Sequence, residues 1–162
     1  MNLIPAAAAF LLCTFCGIAK STELRKRSQL LSELSRTTAE FSIAIRCTSP
    51  TLDELAESCS GIFGELLRES RKDTADIKTA WTDAVEQLRS CSFCGKAEAE
   101  LLAELGRELG TCSAEGQLSL LELHGARLEK LSAEAEEEVR GKGKLYRSVG
   151  SLLGAGLAIL II

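Results

Sequence analysis

Apolar residues fill both ends of the chain, and the charged residues are confined to the stretch between them. Residues 1–19 carry no charged side chain, and residues 149–162 carry none either. Because a helix needs roughly 20 apolar residues to cross a bilayer, the first segment is just long enough and the second is short. The pattern predicts a transmembrane helix at each end, with residues 20–148 as one folded region between them.

Basic residues flank both predicted spans and indicate their orientation. They follow the first span and precede the second: Lys20, Arg25, Lys26, Arg27, Arg140, Lys142, Lys144 and Arg147. Since basic residues close to span ends stay on the cytoplasmic side, residues 20–148 are expected in the cytoplasm and both termini across the membrane. A cleaved signal peptide is the rival interpretation of residues 1–19. Against it, the segment lacks a basic start, and its alanine run precedes the apolar core.

Beyond the first span, apolar residues recur every three to four positions, which is the spacing of one face of an α-helix. This helix is expected to reach about Arg46, and the span and the helix can be one long rod. The pattern then restarts in one of two ways. Either Pro50 takes the first helical position behind Ser49, or Thr51 and Glu54 form a capping box. The second helix is expected to bury one stripe: Leu52, Leu55, Cys59, Ile62, Phe63 and Leu66.

Three further helices are predicted before the second span. The third buries Ile77, Ala80, Trp81, Ala84, Val85 and Leu88, with the only tryptophan as its core anchor. The fourth carries Leu101, Leu102, Leu105 and Leu109 and ends at Gly110. Ser113 can cap the fifth, which carries Leu118, Leu121, Gly125, Leu128, Leu131, Ala135 and Val139. The expected fold is all-α: a cytoplasmic helical bundle of about five helices, flanked by N-terminal and C-terminal transmembrane helices.

Composition narrows the possible functions. The 162 residues suffice for one domain, and a net charge of -4 gives no electrostatic signature of nucleic-acid binding. Two prolines indicate little loop, which leaves little of the chain for an independent catalytic domain. The seven cysteines are an odd number in a compartment expected to be reducing. They are interpreted as small, mostly buried hydrophobic residues, not as disulfide partners.

Candidate reactive residues are sparse, and no catalytic, cofactor-binding or metal-ligating residue is assigned. Cys91 and Cys94 have the spacing of a redox pair or of half a zinc site, but structural zinc needs four ligands and no second Cys/His pair is near. His124, the only histidine, lacks a partner for general-base work and is expected at the surface or edge of the bundle. Residues 141–144 lack the context of a phosphate loop and are interpreted as a basic linker. The chain is therefore expected not to be an enzyme.

Two surface features have both a binding interpretation and a structural one. Four glutamates within residues 134–138 are typical of a solvated helix face, and the alternative is a docking surface for a basic partner. Gly150 and Gly154 form a small-xxx-small pattern that lets helices pack closely. A homo-oligomer formed through these glycines is therefore left open.

Several short motifs, taken in order, carry a resemblance to a known family. They are Glu40-Phe-Ser-Ile43, Thr48 to Leu55, Ala80-Trp81, Leu105-Gly-Arg-Glu-Leu-Gly110 with Ser113 and Gln117, and Lys144-Leu-Tyr-Arg-Ser-Val-Gly150 before an apolar end. In their order and spacing the chain resembles the stage III sporulation protein AB family of endospore-forming bacteria, nearly end to end. It departs from the family pattern by the extra Thr51 after Pro50 and by Ser113 where Asp is expected. Both Ser and Asp cap helices, so the second departure leaves the expected fold unchanged.

The resemblance implies a non-enzymatic inner-membrane component of the channel between mother cell and forespore. Members of the family are similar to the platform protein of type II secretion and type IV pilus machines, so the implied cytoplasmic partner is a secretion-type hexameric ATPase. Other channel membrane proteins and the lipid bilayer are the remaining implied partners, and the implied location is the mother-cell membrane around the forespore. The alternative is a membrane-tethered helical regulator or signalling scaffold. Neither a cofactor nor nucleic acid is expected.

Overall fold

Six α-helices make up the part of the chain that the computed structural model describes, residues 3–48 and 50–161. They are α1 (Leu3–Thr48), α2 (Leu52–Ser58), α3 (Gly61–Asp73), α4 (Ile77–Ser90), α5 (Lys96–Glu108) and α6 (Ala114–Ile161). No strand occurs in these ranges. The all-α prediction is confirmed, with one helix more than the five expected.

The predicted spans are the outer parts of two long helices, α1 with 46 residues and α6 with 48. Among the described residues, no helix is apolar over enough of its length to cross a membrane. The transmembrane helices predicted at residues 1–19 and 149–162 are therefore not supported. One continuous rod from the first segment into the amphipathic region is confirmed, because α1 runs unbroken. Residues 141–144, interpreted as a linker, are helical and belong to α6.

The chain divides into two compact units that share the long helices. The terminal unit consists of Met1–Ser28 and Glu134–Ile162, and the central unit consists of Gln29–Ala133. The central unit therefore holds all four short helices together with the inner parts of α1 and α6.

The second predicted helix is two helices, because the chain turns at Gly61. This residue has a φ of +76°, a left-handed conformation that favours glycine. The capping box at the start of α2 is confirmed. Thr51 Oγ1 accepts a hydrogen bond from the Glu54 N–H at 3.3 Å, and Glu54 Oε2 accepts one from the Thr51 N–H at 2.7 Å. The alternative start through Ser49 lies outside the described residues.

Glu33 of α1 caps α3 from a distant part of the chain. Its carboxylate accepts a hydrogen bond from the Ile62 N–H at 2.9 Å and another from the Gln29 side chain at 2.9 Å. Ser60, the residue before α3, makes no cap bond with its side chain and instead accepts a hydrogen bond from Arg36 at 2.8 Å. Because the first N–H groups of a helix lack partners within it, Glu33 both completes α3 and ties it to α1.

Trp81 of α4 is the centre of the core in the central unit. The predicted stripe is buried throughout: Ile77, Ala80, Trp81, Ala84, Val85 and Leu88. The indole N–H donates a hydrogen bond to the Leu102 carbonyl of α5 at 2.9 Å, and the ring packs edge to face on Phe63 of α3 with centroids 4.9 Å apart. Gly106 of α5 leaves the space that the indole fills, since a Cβ there would lie 2.2 Å from two ring atoms. Three helices thus meet at one side chain.

The turn between α5 and α6 follows the sequence prediction. The four leucines predicted for the fourth helix are all buried: Leu101, Leu102 and Leu105 of α5, and Leu109 directly after its end. Gly110 follows them with a φ of +77°, as expected of a helix-stop glycine. Ser113 Oγ then accepts a hydrogen bond from the Gly116 N–H at 3.4 Å, which confirms it as the cap of α6.

Candidate functional site

In the terminal unit, α1 and α6 run antiparallel and approach each other backbone to backbone. Gly17 and Gly150 are buried at the crossing. A Cβ added to Gly17 would lie 2.6 Å from the Tyr146 carbonyl oxygen, and one added to Gly150 would lie 2.9 Å from the Cys13 carbonyl oxygen. Gly150, predicted to pack helices, therefore packs α6 on α1 of its own chain. The surroundings of Gly154, the second glycine of that motif, lie outside the described part.

The terminal unit also exposes most of the large apolar side chains. Among the described residues, ten of the twelve exposed large hydrophobic side chains belong to it: Leu11, Leu12, Phe15, Ile18, Leu145, Tyr146, Val149, Leu152, Leu153 and Ile159. Phe15 is 71% exposed and Ile159 is 77% exposed. Soluble monomers rarely leave such an extent of apolar surface in water, so this apolar face is suited to contact lipid or another protein.

Charged residues occupy the part of the terminal unit that is closest in sequence to the central unit. Glu138 accepts hydrogen bonds from Lys142 at 2.7 Å and from Arg27 at 3.1 Å, and these two cations lower the pKa of its carboxyl. Glu136 lies 3.6 Å from Arg140. Two carboxylates of the predicted acidic run are thus paired with cations of the same chain. This pairing favours the solvated-face interpretation over a docking surface for a basic partner.

An open groove lies beside the glycine crossing, and we name it the terminal groove. Its volume is about 370 Å³, and Leu12, Cys16, Val149 and Leu153 form its apolar walls. Among the lining residues, Lys20 is the last along α1 and Tyr146 is the first along α6. Because the two helices are antiparallel, these side chains share one end of the groove. The sequence interpretation identified neither this groove nor Gly17. The Gly17-xxx-Ser21 spacing in α1 was the available signal for the crossing.

A second groove lies between α1 and α6 in the central unit, and we name it the central groove. It has a volume of about 450 Å³, and its lining includes Thr38, Ile43, Leu121 and Gly125. Ile43 is 63% exposed, so an apolar side chain lies open to solvent there. Arg46 and Glu122, which also line the groove, form an exposed ion pair at 3.0 Å. The central groove thus combines apolar surface with a charged rim.

His124 is buried inside the central unit, contrary to the prediction. It is 1% exposed, and its Nδ1 has no hydrogen-bond partner among the described residues. The charged neighbours along the sequence suggested a surface position. Helical spacing gives the opposite signal, because His124 follows buried Leu121 by three residues and precedes buried Leu128 by four. Apolar periodicity therefore outweighed the polar character of the side chain.

Acidification is expected to destabilise the protein through His124. Burial lowers the pKa of His124 and Arg127 adds to this effect, while Glu104 and Glu108 of α5 oppose it. Because the unfolded chain protonates first, near pH 6.5, stability is fully present above that pH. It is lost as the pH falls from there toward the pKa of the folded state, by at most about 1.4 kcal/mol per pH unit. Urea unfolding between pH 7.5 and 5.5 measures this loss. His124→Leu should show a flatter dependence, and identical pH profiles would contradict the assignment.

The cysteines are mostly not buried, so their predicted role as buried hydrophobic residues is wrong for all but one. Cys59 is buried, and burial raises the pKa of its thiol to about 12. The others are partly or fully exposed, and none of the seven cysteines, all within the described residues, forms a disulfide. Cys91 and Cys94 lie in the turn between α4 and α5, where the Cys94 N–H donates to the Cys91 carbonyl at 3.1 Å. Within residues 3–48 and 50–161, no three His, Cys, Asp or Glu side chains cluster as a metal site requires.

Comparison with known proteins agrees with the resemblance seen in the sequence. The family described as stage III sporulation protein AB matches residues 2–162. The chain is 28% identical over 109 residues to stage III sporulation protein AB of Bacillus subtilis (strain 168). That alignment covers 67% of this chain and 64% of the relative, which is less than two thirds of the relative's length. No solved structure matches the chain. Because the family match extends over nearly every residue, the chain belongs to the stage III sporulation protein AB family.

Proposed function

We propose that the protein is a non-enzymatic membrane component of an assembly that acts in sporulation. Its family supports the role in sporulation. The apolar face of the terminal unit is the observation that carries the membrane attachment. Residues as exposed as Phe15 and Leu152 would each leave apolar surface in water, at a cost of about 25 cal/mol per Å².

The antiparallel arrangement of α1 and α6 supports attachment through both ends of the chain. The apolar segments lie side by side, and Lys20, Lys142 and Lys144 lie where the apolar face gives way to charge. Basic residues beside a membrane segment favour the cytoplasmic side. In this proposal the central unit is cytoplasmic, and the location is the mother-cell membrane around the forespore. The protein would be one part of the channel between the two cells, together with other membrane proteins.

The central unit is the proposed contact for a cytoplasmic partner. Its central groove exposes Ile43 beside the Arg46–Glu122 ion pair, a combination of apolar anchor and polar rim that is typical of protein interfaces. The resemblance to a secretion platform protein suggests a secretion-type hexameric ATPase as that partner. The protein would then act as an adaptor between the ATPase and the membrane assembly. A membrane-tethered regulator or signalling scaffold is the alternative, and it has no reason to bind such an ATPase.

Membrane attachment is tested by flotation of the full-length protein with phosphatidylcholine vesicles. The wild-type protein is expected to float with the vesicles, and Phe15→Glu is expected to reduce the floated fraction several-fold, since a carboxylate within the apolar face must be desolvated. Glu65→Gln, at an exposed position of α3 in the central unit, is the control and should float as the wild type does. A wild-type protein that stays unbound would overturn the membrane proposal.

The adaptor role is tested by copurification from sporulating cells. An affinity tag is best inserted at the exposed turn of Thr111 and Cys112, between α5 and α6. We expect the ATPase to copurify with the wild-type protein and to be lost with Ile43→Asp. Leu123→Asp is the matched control, because Leu123 is also an exposed large hydrophobic residue of the central unit but does not line the central groove. Recovery of intact bait in the membrane without the ATPase would favour the scaffold alternative.

A further inference from the structure

The terminal groove has the lining of a site for a hydrocarbon chain. Its walls are leucine, valine and cysteine side chains from both helices, and the glycine crossing forms its floor. A volume of about 370 Å³ is within the usual range of small-ligand sites, about 300–1,000 Å³. Leu12 and Leu153, which line it, are themselves 66% and 59% exposed. The groove therefore opens directly onto the apolar face that we propose to contact the membrane.

Polar groups are concentrated at one end of the terminal groove. Lys20 and Tyr146 belong to its lining there, and Lys142 lies near enough to Tyr146 for the two to interact electrostatically. Lys20 donates one hydrogen bond to Glu23 at 2.9 Å. Since an ammonium group has three N–H donors, Lys20 retains donors for a ligand in the groove. The Glu23 hydrogen bond also raises the pKa of Lys20, so the ammonium form persists well above neutral pH.

Apolar walls that end in a cation and a phenol match the structure of one class of molecule, an amphiphile with an anionic head. We propose that the terminal groove binds an anionic phospholipid, with one acyl chain along the apolar walls and the phosphate between Lys20 and Tyr146. The proposal rests on the proposed membrane attachment. Anionic lipids are concentrated in the cytoplasmic leaflet, which is the side on which the basic residues of this unit are placed. Charge complementarity thus favours a lipid over a second copy of the chain as the occupant.

The test uses the full-length protein in detergent, incubated with equal amounts of phosphatidylglycerol and phosphatidylcholine and examined by native mass spectrometry. We expect one retained phosphatidylglycerol per chain, and roughly tenfold weaker retention by Lys20→Gln, because a charge-assisted hydrogen bond is lost. Lys144→Gln is the matched control. It removes the same charge from the same region, but Lys144 does not line the groove. Cys16→Phe should also abolish retention by filling the groove without changing any charge.

The outcomes separate this inference from the proposed function. A wild-type protein that floats with phosphatidylcholine vesicles but retains both lipids equally would leave membrane attachment standing and overturn the lipid site. Equal losses for Lys20→Gln and Lys144→Gln would also overturn it, because they would show a diffuse surface charge. A mass of two chains without lipid would assign the groove to a second copy instead. A selective loss with Lys20→Gln and Cys16→Phe alone would support the site.

Discussion

Replacing Gly106 with alanine is expected to destabilise the protein by about 3 kcal/mol, at the upper end of the usual cost of overpacking. The added Cβ would lie 2.2 Å from both Cδ1 and Nε1 of Trp81. The indole has no freedom to move aside, because its N–H is bonded to the Leu102 carbonyl at 2.9 Å and its ring is packed on Phe63. Either α5 moves away from α4 or the hydrogen bond breaks. Urea titration of the full-length protein, followed by tryptophan fluorescence, measures the loss.

Two further variants show whether the indole causes the loss. Gly141→Ala is the same substitution at a position in α6 with nothing within 4 Å of the added Cβ. It is expected to stabilise the protein by about 0.8 kcal/mol through helix propensity alone. In a Trp81→Leu background, Gly106→Ala should cost less than about 1 kcal/mol, because the smaller side chain leaves the space free. Since this background lacks the only tryptophan of the chain, its unfolding is followed by far-UV circular dichroism. Equal effects of the two alanine substitutions would contradict the packing seen at Trp81.

Trp81 and Gly106 differ in how far the sequence could predict their roles. The helical spacing of apolar residues around Trp81 identifies a buried stripe without any knowledge of its partner. Gly106 lies within the sequence Leu-Gly-Arg-Glu-Leu-Gly, where its nearness to the end of α5 obscures its role. Glycine is required at this position because the Trp81 ring of α4 fills the space where a Cβ would lie. No local sequence pattern encodes a contact with another helix. Periodicity therefore predicts which face is buried, while the contact that demands glycine depends on tertiary packing.

The break between α2 and α3 was missed for a similar reason. Apolar residues continue at helical spacing across Cys59 and Ser60, so the pattern predicted one helix. The start of α3 instead depends on Glu33, a residue of α1 that accepts the Ile62 N–H. A helix that is capped from a distant segment can begin where the local sequence shows no strong cap. The boundary was therefore determined by a contact between elements far apart in the chain.

For the candidate site, the sequence indicated the apolar character of both ends and the packing role of Gly150. It could not bring together Lys20 and Tyr146, because they are on the first and last helices and meet only through the antiparallel arrangement of α1 and α6. The same arrangement explains why Gly150 packs within the chain, whereas the sequence left self-association open. The chemistry of the terminal groove is thus a property of the helix pair and not of either segment alone.

Gly17→Ala is expected to loosen the helix pair of the terminal unit, with a cost of about 2 kcal/mol from overpacking. The added Cβ would lie 2.6 Å from the Tyr146 carbonyl oxygen, which is backbone and cannot rotate away as a side chain can. The two helices must therefore separate locally. Hydrogen exchange of the full-length protein in detergent, read by mass spectrometry, should show roughly thirtyfold faster exchange of the slowest amides around the crossing.

A graded series of alanine substitutions tests the crossing itself. Gly150→Ala, with its Cβ 2.9 Å from the Cys13 carbonyl oxygen, is expected to show a smaller increase in exchange than Gly17→Ala. Gly156→Ala, with nothing within 4 Å, should leave exchange unchanged or slow it. Because all three replace glycine by alanine in a helix, propensity changes alike in each, and only the clash differs. If the three variants exchange at the same rate, α1 and α6 do not meet at these glycines, and the terminal groove that their crossing forms would lose its basis.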